Sequence, residues 1–289
     1  MIRTTRDAVL IAAGELAGLI AAGAPVVLLD VRWALGRDDG RAEHAAGHLP
    51  GAVFVDLETE LAGPPSPAAG RHPLPSMTTL QAAARRWGVR SGVPVVVYDS
   101  IGGQSAARAW WLLRWAGVTD VRLLDGGLPA WLAAGGEVAV GAIVPTTGDV
   151  TLTPGTLPTL DADQAAALAG GRTHPSGVLL DARAGERYRG EVEPIDPRAG
   201  HLRGAVSAPT SANLDESGRF LPDDALRARF AALGVGTGPV GVYCGSGVTA
   251  AHEVATLASI GVVAALYPGS WSQWSADPAR DVVVGPDPG

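Results

Sequence analysis

Short apolar runs of four or five residues alternate along the chain with longer stretches of helical spacing. Val26–Leu29, Val95–Tyr98, Val121–Leu124, Val178–Leu180 and Val240–Tyr243 are rich in Val and Leu and carry no polar alternation. A strand with one wet face alternates and a strand covered on both faces does not, so these runs predict the strands of parallel sheets. Ala106–Trp115 and Val248–Ile260 follow two of the runs with apolar residues at helical intervals. The apolar stretch Ala8–Leu29 resembles a targeting or spanning segment, but Glu15, Pro25 and several glycines interrupt it. It reads better as a short helix before Pro25 and a buried strand after it. Alternating β and α predicts an α/β fold of open parallel sheets with helices on both faces. Ligands of such sheets sit at the carboxyl ends of the strands, so the turns after Tyr98 and Tyr243 are where chemistry is expected.

Four blocks occur twice in the same order. Val27-Leu28-Leu29-Asp30-Val31-Arg32 returns as Val178-Leu179-Leu180-Asp181-Ala182-Arg183, and Ala46-Gly47-His48-Leu49-Pro50-Gly51-Ala52-Val53 as Ala199-Gly200-His201-Leu202-Arg203-Gly204-Ala205-Val206. Val95–Asp99 returns as Val240–Cys244, and Leu124-Asp125-Gly126-Gly127 with Trp131 as Tyr267-Pro268-Gly269-Ser270 with Trp274. The offsets are about 151, 153, 145 and 143 residues. A period that long means two copies of one domain rather than a solenoid. The expected organisation is a first domain over 1–140, a linker over 141–160 rich in Gly, Pro and Thr, and a second domain over 161–289.

Composition narrows the chemistry. All 22 basic residues are Arg, which excludes a Schiff-base lysine and a phosphate-loop lysine. A formal net charge of −7 argues against a nucleic-acid partner, which calls for clustered cations. The single cysteine, Cys244, allows no internal disulfide, and a cytoplasmic protein with no membrane partner is expected. The six histidines have no metal-ligand spacing, so neither a metal nor a cofactor is expected.

Cys244 ends a predicted strand and is followed by Gly245-Ser246-Gly247-Val248-Thr249 and a helix start. Small residues let successive backbone N–H groups of Gly245, Gly247, Val248 and Thr249 turn into one hollow, an anion nest at a helix N-terminus. That setting favours a thiolate over a thiol. A cysteine phosphatase would need an Arg where Ala250 stands, so its phosphoryl clamp is missing. A thiol peroxidase would need a resolving cysteine. Sulfur transfer through a persulfide needs one cysteine only. A buried, inert Cys remains the plain alternative.

The tandem copies, the Asp-x-Arg after the first strand of each, Gly-His-x-x-Gly-Ala in each, and Cys244-Gly245-Ser246-Gly247-Val248-Thr249 together resemble the two-domain rhodaneses. The loop is similar to that of the 3-mercaptopyruvate sulfurtransferase branch; the thiosulfate branch carries basic residues beside its Cys. The resemblance spans about residues 8–275. It implies an active C-terminal domain and an inactive N-terminal one, in which Asp99 stands in the place of the Cys. It further implies that Arg187 binds the donor. Arg198, after an acidic, proline-containing stretch of differing length, aligns with a second family arginine. Ser246 would form a proton relay with His72 and Asp56, which places the site between the two domains. The activity implied is transfer of sulfur from 3-mercaptopyruvate to a thiol or cyanide through a Cys244 persulfide, with a thioredoxin-like reductant as a partner. The alternatives are a thiosulfate:cyanide sulfurtransferase and a sulfur-relay module without its own small-molecule donor.

The bland readings of the same residues are that Asp56 caps a helix, His72 is a loop histidine and Arg187 a surface arginine. His48 and His201, Asp30 with Arg32, and Asp181 with Arg183 occur in both copies, one of them inactive, and so read as structural. His252 reads as packing, Trp110, Trp111 and Trp115 as helix–sheet packing, and Trp271 and Trp274 as core or pocket wall.

Overall fold

In the computed structural model, which describes residues 5–171 and 177–289, each of the five apolar runs is a strand. The first unit holds β1 (Leu10–Ile11), α1 (Ala13–Ala21), β2 (Val27–Asp30), α2 (Gly40–Ala46), β3 (Val53–Phe54), α3 (Leu57–Glu60), α4 (Met77–Arg86), β4 (Val95–Tyr98), α5 (Ala106–Trp115), β5 (Val121–Leu124) and α6 (Gly127–Ala133). Its sheet is wholly parallel, in the order β1-β5-β4-β2-β3. The second unit holds α7 (Ala162–Ala169), β6 (Val178–Asp181), α8 (Gly185–Tyr188), β7 (Val206–Ser207), a 3-10 turn (Thr210–Asn213), α9 (Asp223–Ala232), β8 (Val240–Tyr243), α10 (Thr249–Ser259), β9 (Ala264–Leu266) and α11 (Ser270–Ala276). Its parallel order is β7-β6-β8-β9. In both sheets the strand that precedes Asp99 or Cys244 is flanked by a strand on each side, and all four of its residues are buried. That burial on both faces is why these segments read as unbroken apolar runs.

The same polar scaffold recurs in both units. Arg32 Nε donates to Asp30 at 2.7 Å, and Arg183 Nη2 to Asp181 at 2.6 Å. Each guanidinium also caps the carbonyl of the Gly before the repeated His, Gly47 or Gly200, at 2.7 Å. His48 Nδ1 bonds the His44 carbonyl and His201 Nδ1 the Tyr188 carbonyl. The hydroxyls of Tyr98 and Tyr243 accept from the amides of Leu49 and Leu202. All four charged groups are buried, so each pair is held by added backbone bonds that offset the loss of water.

The units are not simple halves of the chain. Pro64–Leu74 packs as part of the second unit, and Leu214–Phe220 as part of the first. The first excursion is tied down by Gln273 Nε2, which donates to the Ala68 carbonyl at 2.6 Å, and by the Arg71 amide, which donates to Ser272 Oγ at 3.0 Å. Most of the expected linker is fastened rather than loose. Gly148, Val150, Thr153 and Thr156 donate backbone bonds to Arg85, Val89, Ala116 and Trp115, and Val150 and Leu152 are buried. The first unit therefore runs to Leu157, and the second resumes at Pro158.

Candidate active site

Cys244 follows β8 directly, at the carboxyl end where ligands of open α/β sheets gather. Gly247, three residues on, has φ +79°, a conformation that glycine adopts without strain. Its N–H turns back and donates to Cys244 Sγ at 3.1 Å. An amide donor on sulfur stabilises the charged form of the thiol or of a persulfide. The loop is held from the other side by the start of α11. Ser270 Oγ accepts from the Cys244 amide, the Trp271 amide donates to the Cys244 carbonyl at 2.9 Å, and the Ser272 amide to the Gly245 carbonyl at 2.9 Å. Ser270 is the non-glycine residue with positive φ among those described, at 53°, and it is fully buried. Strain of that kind persists where the surroundings enforce it, here by fixing the loop backbone. Val248 is the N-cap of α10 and Thr249 its first residue.

Cys244 is 2 % exposed, and its surroundings are polar. His72 Nδ1 and Ser246 Oγ lie 2.7 Å apart, both buried. Gly245 leaves room for two guanidinium groups: a methyl there would meet Arg71 Nη2 at 3.1 Å and Arg187 Nη1 at 3.3 Å. Arg187 Nη2 pairs with Glu193 at 2.6 Å and with Asp196 at 3.3 Å, and Arg71 Nη1 pairs with the same Asp196. Arg187 is therefore a loop-side cation and not a surface one. Arg71, which sequence reasoning passed over, stands beside it. Its only signal was adjacency to His72 in Arg71-His72-Pro73-Leu74-Pro75.

Two expected site residues are spent elsewhere. Arg198 donates to the carbonyls of Ser275, Arg280, Trp274 and Asp277, so its guanidinium closes the C-terminal end of α11 and has no fork left for a donor. This corrects its expected place as a substrate ligand: the acidic stretch folds Glu193 and Asp196 toward Arg187 while Arg198 turns to the helix end. Asp56 is the N-cap of α3, where Oδ1 accepts from the amides of Glu58 and Thr59. That is the structural role weighed against the relay. Trp271 and Trp274 are core, and Arg183 stacks over the Trp271 ring at 4.6 Å.

On α10, just behind the loop, His252 bonds Thr210 Oγ1 at 2.6 Å, and Asn213 Nδ2 donates to Glu253 Oε2 at 2.6 Å. Glu253 Oε1 has no hydrogen-bond partner, and burial pushes its carboxyl up to about 7 against the pull of Arg229 and the bonds from Thr210 and Asn213. The equivalent loop of the first unit is closed on itself. Asp99 Oδ1 accepts from the amides of Ile101 and Gly103, and Oδ2 from those of Ser105 and Ala106, at 2.8 to 3.0 Å. Among the described residues no cluster of His, Cys, Asp or Glu is arranged to hold a metal ion.

The rhodanese-like domain model matches residues 12–134 and again 161–277, one match to each copy of the repeat. The chain belongs to the rhodanese family. Over 283 residues it is 54 % identical to a Mycobacterium tuberculosis protein that carries the name thiosulfate sulfurtransferase SseB, covering 96 % of this chain and 97 % of that one. Over 266 residues it is 46 % identical to a Pseudomonas aeruginosa protein named as a 3-mercaptopyruvate sulfurtransferase, covering 90 % and 93 %. The crystal structure of the Escherichia coli 3-mercaptopyruvate sulfurtransferase SseA superposes with a TM-score of 0.79 at 34 % identity, over 91 % of this chain and 98 % of that one. This rhodanese is thus a two-domain sulfurtransferase, as the repeat and the Cys244 loop predict. The names of its relatives divide between two sulfur donors. No helix among the described residues is long and apolar enough to cross a membrane.

Proposed function

We propose that this rhodanese takes sulfur from 3-mercaptopyruvate and passes it to a thiol or to cyanide in the cytoplasm. The Cys244 thiolate attacks the donor's sulfur, the carbon–sulfur bond breaks, and its electron pair leaves on C3 as the enolate of pyruvate. A proton delivered to C3 completes the product and leaves a Cys244 persulfide. An acceptor thiolate or cyanide then attacks the outer sulfur and releases the Cys244 thiolate. A thioredoxin-like dithiol would serve as such an acceptor.

The observation that carries the choice of donor is the 2.7 Å contact between His72 Nδ1 and Ser246 Oγ, two residues past the cysteine. Sulfite leaves thiosulfate as a stable anion and needs no proton, whereas an enolate does. A histidine–hydroxyl pair beside the thiol therefore favours a donor whose leaving group must be protonated. Arg187 suits the carboxylate of such a donor, since its planar fork matches two oxygens at once. The Gly247 amide donates to Cys244 Sγ and so stabilises the attacking thiolate.

Intact mass after incubation with mercaptopyruvate tests this. The protein should gain one sulfur atom, lose it on addition of cyanide, and gain none as Cys244→Ser. Failure of the unaltered protein to gain sulfur from mercaptopyruvate would refute the donor assignment.

A further inference from the structure

We propose that Gln273 is a positioning residue for the histidine–hydroxyl pair. Together with Ser272 it fastens the segment that carries His72 to the helix turn that holds the Cys244 loop, and so sets the contact between His72 and Ser246. The inference rests on the reading of those two residues as the pair that delivers the proton, and it adds what keeps them within reach of each other.

The first turn of α11 has two faces. Toward the cysteine, the Trp271 and Ser272 amides donate to the carbonyls of Cys244 and Gly245, both at 2.9 Å. Toward the segment before His72 the turn works through side chains. Ser272 Oγ accepts from the Arg71 amide at 3.0 Å, and Gln273 Nε2 donates to the Ala68 carbonyl at 2.6 Å. A change of side chain at 273 therefore touches the His72 face and leaves the backbone bonds to the cysteine loop in place.

Gln273 is itself fixed from behind. The hydroxyl of buried Tyr267 donates to Gln273 Oε1 at 2.7 Å, which leaves Nε2 as the end turned to Ala68. A carboxylate of the same shape accepts from Tyr267 but has no proton for the Ala68 carbonyl. Gly269 gives the carboxamide its room, because a Cβ there would lie 1.9 Å from Gln273 Oε1. Gly70, with φ +86°, gives the other side its approach, because a Cβ there would lie 2.8 Å from Ser272 Oγ.

The segment that Gln273 holds is short and stiff. Ser66 and Gly70 exchange backbone bonds at 3.2 and 2.8 Å, and the Ala69 amide donates to Ser66 Oγ. Ala68 stands inside that closed turn and His72 two residues beyond it, so a shift at Ala68 is carried on to His72 rather than absorbed. Arg71 also pairs with Asp196, which keeps the segment attached when the Gln273 bond is lost. Loss of that bond thus displaces His72 without releasing it. A displacement of about 1 Å in a reacting pair costs on the order of ten- to a hundredfold in rate.

Turnover of mercaptopyruvate and alkylation of Cys244 by iodoacetamide, both on the full chain, test this. In Gln273→Glu and in Gln273→Ala, kcat for mercaptopyruvate should fall about tenfold and KM change less than about twofold, while the alkylation rate stays within about twofold. Added to His72→Gln, either substitution should cost less than about a further twofold, since it acts through a group already gone. An undiminished kcat, a full further tenfold loss in the His72→Gln background, or a matching loss of alkylation would overturn the inference. If His72→Gln alone leaves turnover intact, the proton-delivery reading falls and the inference with it; if His72→Gln is costly and Gln273→Glu is not, only the inference falls.

Discussion

Replacing Glu253 by Gln should make the protein more stable in a pH-dependent way. The carboxyl is fully buried on the helix that follows the Cys244 loop, one of its oxygens has no partner, and burial lifts it from the ordinary 4.5 to about 7. The unfolded chain ionises at the ordinary value, so between the two values it holds fewer protons than the folded chain does. The contribution of Glu253 to stability is then greatest below about pH 4.5, falls as pH rises through the window, and levels off above about pH 7. A gap of that width corresponds to about 3 kcal/mol. Gln keeps the shape of the side chain and removes the charge, so its stability relative to the original should climb by about 3 kcal/mol between pH 4.5 and pH 8. Urea unfolding followed by tryptophan fluorescence at those two pH values measures the change. A stability difference that stays constant across the window would show that Glu253 ionises normally, and that its surroundings are wetter than its burial implies.

Two further outcomes follow from the site. Ser246→Ala and His72→Gln should each lower kcat with mercaptopyruvate by about a hundredfold or more, and lower persulfide formation from thiosulfate less; equal losses with both donors in stopped-flow assays would remove the proton relay. Arg198→Ala should cost about 2–4 kcal/mol of stability, since four carbonyls at the end of α11 lose their charged donor, while donor KM values change less than threefold; a tenfold rise in KM at intact stability would return Arg198 to the donor site.

The central strands and the catalytic loop were legible because their signals are local. Val95–Tyr98 and Val240–Tyr243 are apolar on both faces, and a Gly-Ser-Gly turn after a strand has few other uses. β1, β3 and β7 were not legible: each is two residues long, too short for any period to show. β9 was missed because Ala264-Ala265-Leu266 carries no β-branched residue. Sequence reasoning expected Arg198 beside the loop and passed over Arg71, for a reason that sequence order hides. The two are more than a hundred residues apart, and which guanidinium reaches Gly245 is decided by Asp196, Ser272 and the carbonyls at the end of α11. Cation placement through long-range contacts leaves no trace in spacing along the chain.

The closed loop of the first unit has a consequence for how this duplication can evolve. Asp99 keeps its carboxylate seated on four amides, so the nest of the first unit holds a permanent tenant in the space an incoming anion would need. Placing a cysteine there evicts the tenant before it creates any reactivity, because a lone sulfur cannot satisfy four donors that the carboxylate now serves. Any route from this chain to a second cysteine in that loop therefore runs through a less stable protein.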